Sequence, residues 1–404
     1  MIFRHRSRAA ATVEASEPPE FSLVHGGPLF QLTRRAHLSG PSLELLHRRI
    51  LTVTLVAWLP LLLLSVLGGR AFAGVVTIPF LYDIETHVRL LIALPLIVAA
   101  EVVVDIRISP LVRCFVERRI VVADDLRAFN AAVRSTMRAD DSVAAEIALL
   151  ILVYTLGVWL WQSQMALAAA TWYAGPAAGH LQLTAAGYWN AFVSIPIFQF
   201  LLLRWYLRIV LWFRLLWRIS RLELQLAPSH PDQAGGLGFL GRSAHAFGPI
   251  LLAQGAVLSG AIASRVLYDG QNLTSFTVEA ASLVGALVLF ILGPLVMFTP
   301  KLDRAKRAGL AAYSMLASRY VFRFEEKWIR AGGMEKDDLL GSGDIQSLAD
   351  LANSYQVVRA MRLVPFGRDD VIRLVATTAA PLLPLALTVF PLQELVTRLI
   401  KLLL

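Results

Sequence analysis

The stretch ILTVTLVAWLPLLLLSVLGG, residues 50–69, contains no charged side chain. An α-helix needs about 20 apolar residues to cross the roughly 30 Å hydrocarbon core of a bilayer, because each residue adds about 1.5 Å along the helix axis. This stretch has that length and that composition. It therefore predicts a membrane-spanning helix and favours a helical membrane protein.

Six more apolar runs follow along the chain. They cover residues 88–106, 145–168, 188–211, 246–266, 277–299 and 371–390. The last run contains Pro381 and Pro384, so it can either cross the bilayer, with an amphipathic helix after it, or re-enter and return to the same side. The sequence thus predicts an all-α polytopic membrane protein, a bundle of six to seven transmembrane helices with a small cytoplasmic helical layer.

The composition agrees with this class. Hydrophobic residues make up 56% of the 404 residues and charged residues only 17%, with a mean hydropathy of +0.61, which excludes an ordinary soluble domain. The single cysteine, Cys114, excludes an intramolecular disulfide. The basic residues behind the net charge of +9 lie beside apolar runs. They indicate contact with anionic lipid headgroups at the cytoplasmic side and not with nucleic acid, and no cofactor is predicted.

Arginine is distributed unevenly between the loops. The 107–144 connection carries seven arginines, whereas residues 170–187 contain no Asp, Glu, Lys or Arg. Because cationic loops stay on the cytoplasmic side, we expect a multi-pass protein of a bacterial-type cytoplasmic (inner) membrane with its N-terminus in the cytoplasm. Residues 1–40 have few large apolar residues in register and are predicted to form a disordered cytoplasmic arm.

The remaining pattern divides the chain into regions. Residues 41–300 are predicted to form the transmembrane bundle, with 107–144 as a cytoplasmic helical loop. Residues 301–370 carry mixed charge, and their apolar residues recur every three or four positions, which predicts a cytoplasmic region of amphipathic helices. Residues 371–404 are predicted to contain the seventh span and a C-terminal amphipathic helix.

Four ionisable residues lie toward the inner ends of two predicted spans. Glu101 and Asp105 share one face of the second span, and Arg204 and Arg208 share one face of the fourth. Counted from the outer ends, Glu101 and Arg204 reach similar depths, so we expect them to pair. Charged side chains among apolar ones are costly, so these four residues are candidates either for a structural ion pair or for an ion or proton pathway.

The stretch SHPDQAGGLGFLG, residues 229–241, joins the fourth and fifth spans and contains a formal G-x-G-x-x-G pattern. A phosphate cradle of that kind needs a strand before the glycines, and here an arginine-rich helix precedes them. We predict a Gly-rich hinge over residues 228–245 instead. Its candidate polar or hinge residues are His230, Asp232, Gly235, Gly236 and Gly238. For these residues, a turn or capping contact is the alternative to a proton or metal role. Two ligands do not make a metal site, so none is predicted.

The sequence contains neither a G-x-S-x-G nor an H-E-x-x-H motif, so an enzymatic function has no support. The ionisable residues near the bundle interior predict a channel or transporter that passes an ion or small solute. The alternative is a membrane-anchored scaffold or sensor whose cytoplasmic helices bind a protein partner. A homo-oligomer is compatible with either function.

Overall fold

The computed structural model describes residues 21–24, 26, 43–157, 171–177, 180–330 and 343–388. Within these residues the chain is helical apart from one short β-hairpin and the connecting loops. Four of the described helices are long and apolar enough to cross a membrane, namely Leu45–Leu67, Ala185–Ser220, Phe239–Tyr268 and Leu273–Arg330. The all-α class predicted from the sequence is thereby confirmed, and the four helices fit a membrane protein, while the count of six to seven spans stays a prediction.

The described residues up to Ser220 form the helices α1 (Leu43–Leu67), α2 (Ile84–His87), α3 (Leu94–Glu117), α4 (Leu126–Asp140), α5 (Val143–Leu152), α6 (Ala185–Trp189) and α7 (Ile195–Ser220). The π-helical turns Val88–Ala93 and Asn190–Ser194 join α2 to α3 and α6 to α7 without a break. Strands β1 (Ala174–Ala177) and β2 (His180–Leu183) form an antiparallel hairpin.

The described residues after Ser220 form the helices α8 (Phe239–Ala244), α9 (Gly248–Tyr268), α10 (Thr277–Leu292), α11 (Thr299–Phe324), α12 (Gly343–Ala360) and α13 (Arg368–Ala379). A 3-10 segment, Gly293–Phe298, connects α10 to α11, and a π-helical turn, Glu325–Arg330, extends α11. A second 3-10 segment, Ala380–Thr388, continues α13.

Two loops predicted to face the outside pack against each other. Arg70 donates a hydrogen bond to the Thr171 carbonyl oxygen (3.3 Å), and Trp172 donates from Nε1 to Asp83 Oδ2 (2.8 Å). The Trp172 ring lies edge-on to Phe80, with 5.0 Å between the ring centroids. These contacts bring the loop after α1 and the β-hairpin to the same end of the bundle.

The continuous α2–α3 helix lies along helix α9. At one end, a side chain at Gly260 would press on Val88, so the glycine allows the two helices to approach closely. At the other end, Arg107 donates to the His245 carbonyl oxygen (3.2 Å), just before α9 begins. The α2–α3 helix therefore runs antiparallel to α9 over nearly its whole length.

The C-terminal segment also follows α9, in the parallel direction. In the first half of α9, a Cβ atom at Gly255 would overlap the carbonyl oxygen of Thr378, so the approach of α13 requires glycine. In the second half of α9, Ile262 packs in one apolar cluster with Leu385 of the second 3-10 segment. The segment thus runs beside the middle of α9, which belongs to a helix long enough to cross a membrane.

Part of the N-terminal arm is buried. Phe21, Leu23 and Val24 are at most 5% exposed and belong to the main hydrophobic core, where Phe21 packs 6.1 Å from Trp212 between ring centroids. The prediction of a disordered arm over residues 1–40 is therefore wrong for residues 21–24. The rest of the predicted arm, apart from Gly26, lies outside the described residues. Burial of three large apolar side chains offsets the loss of chain entropy there.

Candidate functional site: a buried ion cluster

Glu101 of α3 lies between two arginines. Arg208 of α7 donates from Nη1 to Glu101 Oε1 (3.0 Å), and the guanidinium of Arg49 on α1 forms an ion pair with Oε2. The side chains of all three residues are at most 10% exposed. A buried carboxylate is retained only when it is compensated, and here two cations from different helices compensate it.

Two further acids complete the group. Arg204, one turn before Arg208, pairs with Glu146 of α5 (Nη2 to Oε1, 3.1 Å), and Arg208 Nε lies 3.7 Å from Oδ1 of Asp140 on α4. We call these residues the ion cluster, and its members are Arg49, Glu101, Asp140, Glu146, Arg204 and Arg208. Three carboxylates face three guanidinium groups, so the cluster is neutral when all six are ionised.

Local sequence explains how the short α4–α5 turn delivers two acids. Helix α4 ends at Asp140, and the Ser142 side chain caps α5 by accepting a hydrogen bond from the backbone N–H of Ala145 (3.3 Å). Glu146 then falls in the first turn of α5, where the helix dipole favours a negative charge. The turn therefore presents Asp140 and Glu146 to the same face of α7.

The buried N-terminal segment covers the cluster with carbonyl oxygens. Arg208 donates from Nη2 to the Val24 carbonyl (3.2 Å), and Arg204 donates from Nη2 to the Gly26 carbonyl (2.8 Å). A side chain at position 26 would collide with the Asp140 carboxylate, which suits glycine. The segment thus supplies acceptors for guanidinium N–H groups that the carboxylates leave over.

An aromatic side chain closes the cluster on another side. The guanidinium carbon of Arg208 lies 5.1 Å from the centroid of the Trp205 ring, a cation–π distance. Trp205 is itself held by a hydrogen bond from Nε1 to the Ile97 carbonyl of α3 (2.9 Å). Arg208 is about 1% exposed, because two carboxylates, the Val24 carbonyl oxygen and the Trp205 ring lie around its guanidinium group.

Burial changes the protonation equilibrium of Asp140. Burial raises the pKa of Asp140 to about 6, although the charges of Arg208 and Arg204 favour its ionised form. Asp140 lies at the end of α4, in the connection predicted to be cytoplasmic. It is therefore a cluster member that changes its charge near neutral pH.

The structure revises the expected pairing by one helical turn. Glu101 pairs with Arg208 and Arg49, while Arg204 pairs with Glu146. Asp105 points to a different set of groups, since it accepts hydrogen bonds from the hydroxyls of Ser22 (2.6 Å) and Ser109 (3.1 Å). Predicted depths are good to about one turn only, because the register between two helices depends on their side-chain packing.

Sequence reasoning missed three cluster members, Arg49, Asp140 and Glu146. Each lies within about a turn of the predicted cytoplasmic end of a span, where ionisable residues are common and are taken for solvated ones. A usable signal was present in Glu146, an acid two residues into an otherwise apolar run. For Arg49 and Asp140 no local pattern distinguishes a buried side chain from an exposed one.

The Gly-rich stretch is organised around its own aspartate. Asp232 Oδ1 accepts hydrogen bonds from the backbone N–H groups of Ala234 (2.8 Å) and Gly236 (3.1 Å), and Oδ2 accepts one from Gly238 (2.8 Å). Gly235 and Gly236 have φ of +65° and +96°, which turns these N–H groups inward. The Asp232 carboxylate thus occupies the concavity that the glycines form.

Both candidate polar residues of this stretch take part in the same turn. His230 Nδ1 lies 2.8 Å from Asp232 Oδ1. Burial disfavours the charged form of Asp232, but the three backbone donors and His230 outweigh burial and hold its pKa below the usual value. Neither residue contacts the ion cluster in the bonds described here, and within the described residues no group of three or more His, Cys, Asp or Glu side chains could hold a metal ion.

Over residues 228–245, where the sequence predicts a hinge, the structure has a turn held by hydrogen bonds from Arg362 and then a helix. Arg362 donates from its backbone N–H to the Gln233 carbonyl (2.7 Å) and from Nη2 to the Asp232 carbonyl (2.9 Å). Residues Phe239–Ala244 form α8. The contacts therefore tie the Gly-rich turn to the segment after α12, and no free pivot is visible in this part of the chain.

No protein-family model matches this chain, and no curated protein and no solved structure matches it either.

Proposed function

We propose that this chain is a membrane-anchored scaffold that pairs with a second copy of itself through its cytoplasmic helices. The observation that carries the proposal is an exposed apolar stripe on α11, which consists of Ala308, Ala312, Met315 and Phe322. Met315 is 58% exposed and Phe322 is 68% exposed. Large apolar side chains left in water on a charged helix mark a surface that another protein covers.

The spacing of the stripe suits a second helix. Its members are separated by four, three and seven residues, a repeat of about 3.5 residues, which keeps one face toward a partner helix. Arg319, also exposed, occupies the position between Met315 and Phe322. Two alanines allow close approach at one end of the stripe, and two large side chains fill the space at the other.

Helix α12 leaves the stripe uncovered. Lys306 of α11 donates to the Met361 carbonyl (2.6 Å), and Tyr320 donates from its hydroxyl to the Asp344 carbonyl (3.0 Å). These bonds hold α12 antiparallel on another face of α11. The pair forms a firm hairpin, and its α11 helix is about 39 Å long at 1.5 Å per residue.

A second copy fits the stripe for reasons of symmetry. Helix α11 continues from α10 within Leu273–Arg330, a helix long and apolar enough to span a membrane. Two copies in one bilayer are related by rotation about the membrane normal, so their α11 helices run parallel at equal height. Each of the four apolar residues of the stripe then meets its own counterpart, so apolar side chains cover one another at every position except Arg319, where two like charges lie side by side.

The orientation that this proposal needs comes from the loops. The chain crosses a bacterial-type inner membrane six or seven times with its N-terminus in the cytoplasm. In this arrangement the 107–144 connection and helices α11 and α12 lie on the cytoplasmic side. The positive-inside bias supports this arrangement. The antiparallel course of α2–α3 along α9 supports a second span, and the course of residues 378–385 along α9 supports a full crossing by the last segment.

Cysteine cross-linking tests the scaffold directly. In a Cys114→Ser background, Phe322→Cys should form a disulfide-linked dimer in native membranes, because symmetric pairing brings the two positions together. Ser314→Cys is the matched control, since Ser314 is exposed on the same helix about 120° away from the stripe centre. A dimer of twice the chain mass on a non-reducing gel is the expected result for Phe322→Cys alone. Equal or absent dimer formation at both positions would refute the proposed pairing.

Transport remains a second candidate because of the ion cluster. The six charged side chains of the ion cluster would belong to an ion pathway if Val24 and Gly26 moved away from them. In the structure the cluster is sealed by paired charges and by carbonyl oxygens, and this favours the scaffold.

A flux assay separates the two functions. We expect proteoliposomes with the wild-type protein to pass protons and monovalent ions no faster than protein-free vesicles. Flux that Glu101→Gln abolishes, while the variant stays monodisperse in detergent, would make transport the function instead.

A further inference from the structure

A cavity of about 470 Å³ opens where the end of α7 meets the start of α11. Three cationic side chains line it, Arg221 after α7 and Lys301 and Arg304 on the first turns of α11. Trp217 and Met297 form its apolar wall. None of its lining residues belongs to the ion cluster or to the apolar stripe, although Lys301 lies seven residues before Ala308 and so on the same face of α11.

The charges of the cavity are only partly compensated. Lys301 Nζ lies 3.3 Å from Glu223 Oε1, and the carboxylate side chain of Glu223 is 81% exposed. Arg221 stacks over Trp217, with 5.2 Å from the guanidinium carbon to the ring centroid. Among the described residues, no carboxylate pairs with Arg221 or Arg304. Three cations against one anion leave an excess of two positive charges at the cavity.

Exposed apolar side chains continue from the cavity along the outer surface of α7 and α10. On α7, Val210 lies seven residues before Trp217, and both are exposed. On the neighbouring helix α10, Leu289 is exposed, and so is Val296 in the 3-10 segment that follows it. The two helices are adjacent, because the rings of Phe213 and Phe290 pack with centroids 5.3 Å apart. The polar end of an amphipathic ligand would lie in the cationic cavity, and its apolar end would lie against the exposed apolar side chains of α7 and α10.

We propose that this cavity binds a phosphate group, that of an anionic phospholipid headgroup or of a soluble phosphate compound. Guanidinium groups match phosphate oxygens with two parallel N–H donors, and a lysine adds a compact positive charge. The excess of two positive charges suits a phosphate monoester or two phosphodiesters. The adjoining apolar surface favours a lipid, whose acyl chains would lie between α7 and α10 while Trp217 marks the headgroup level.

Native mass spectrometry of the purified full chain tests the site. The probes are phosphatidylglycerol, diphosphatidylglycerol and phosphatidylcholine added to detergent micelles, and inorganic phosphate added alone. The site variant is Arg221→Gln/Arg304→Gln. The matched control is Arg242→Gln/Arg323→Gln, which removes the same charge at two exposed positions away from the cavity.

We expect the wild type and the control to retain the anionic lipids in preference to phosphatidylcholine. The site variant should bind them about 25-fold more weakly, because it loses two cations that line the cavity and each cation beside the headgroup contributes about a factor of five. Binding of inorganic phosphate that only the site variant loses would also support the site and identify a soluble ligand. The proposal would be overturned if the site variant and the control bound every probe equally.

Discussion

Replacing Arg208 with glutamine is expected to lower the free energy of unfolding by about 3–5 kcal/mol, because one partner of a buried ion network would be lost. Glu101 and Asp140 both face the Arg208 guanidinium, at 3.0 and 3.7 Å. Without it, their charge stays buried with less compensation, and the Val24 carbonyl loses a donor. Chemical or thermal unfolding of the purified protein in detergent measures the change.

Arg214→Gln is the control for this variant. Arg214 lies on the same helix, is exposed, and makes only a long hydrogen bond to Ser135 (3.5 Å) in the described part of the chain. Its substitution should change the free energy of unfolding by less than about 0.5 kcal/mol. If Arg208→Gln changed it by as little, the cluster would not hold α3, α4 and α7 together. Adding Asp140→Asn to Arg208→Gln should restore part of the loss, since it removes one of the stranded acids.

Asp232→Ala should be the next most destabilising change, by about 2–4 kcal/mol at neutral pH. The substitution leaves three backbone N–H groups without an acceptor, and each buried donor left unsatisfied costs about 1–3 kcal/mol. Ala234 and Gly236, which carry two of these donors, are buried. The same unfolding measurement in detergent applies, with Asp124→Ala as control because Asp124 is exposed and away from the turn.

The effect of Asp232→Ala should depend on pH in one direction. The pKa of Asp232 is lowered in the folded protein, so its ionised form is what stabilises the turn. That stabilisation is complete above the ordinary aspartate pKa, about 4, and is lost as the pH falls through the lower folded-state value. The wild type and Asp232→Ala should therefore converge in acid, whereas Asp124→Ala should run parallel to the wild type. A gap that stayed constant down to strong acid would contradict the role assigned to the carboxylate.

The ion cluster was predictable in part. Glu101 and Arg208 stand out in the sequence because ionisable residues within apolar runs need partners. Their pairing could not be settled, since a shift of one turn between α3 and α7 exchanges Arg204 for Arg208. Asp140 and Glu146 reach the cluster only because a capped turn directs them to the same helix. The Val24 and Gly26 carbonyls belong to a segment whose local sequence resembles a solvated arm.

The Gly-rich turn illustrates the same division. Its glycines predict positive backbone dihedrals, and the structure has them at Gly235 and Gly236. That the N–H groups converge on Asp232 depends on the three-dimensional course of the turn. Arg362, 130 residues further along the chain, donates a hydrogen bond to the Asp232 carbonyl of this turn. This contact depends on how the chain after α12 packs.

The sequence by itself determined that this chain is helical and built for a membrane, because the length and hydropathy of a span are local properties. It also determined that acids and arginines within the apolar runs would need partners. Only the tertiary structure decided which charges pair, that the Val24 and Gly26 carbonyls cover them, and that α12 leaves one face of α11 exposed. Those outcomes depend on register and packing between segments far apart in the chain, and the periodicity of a single helix carries no record of them.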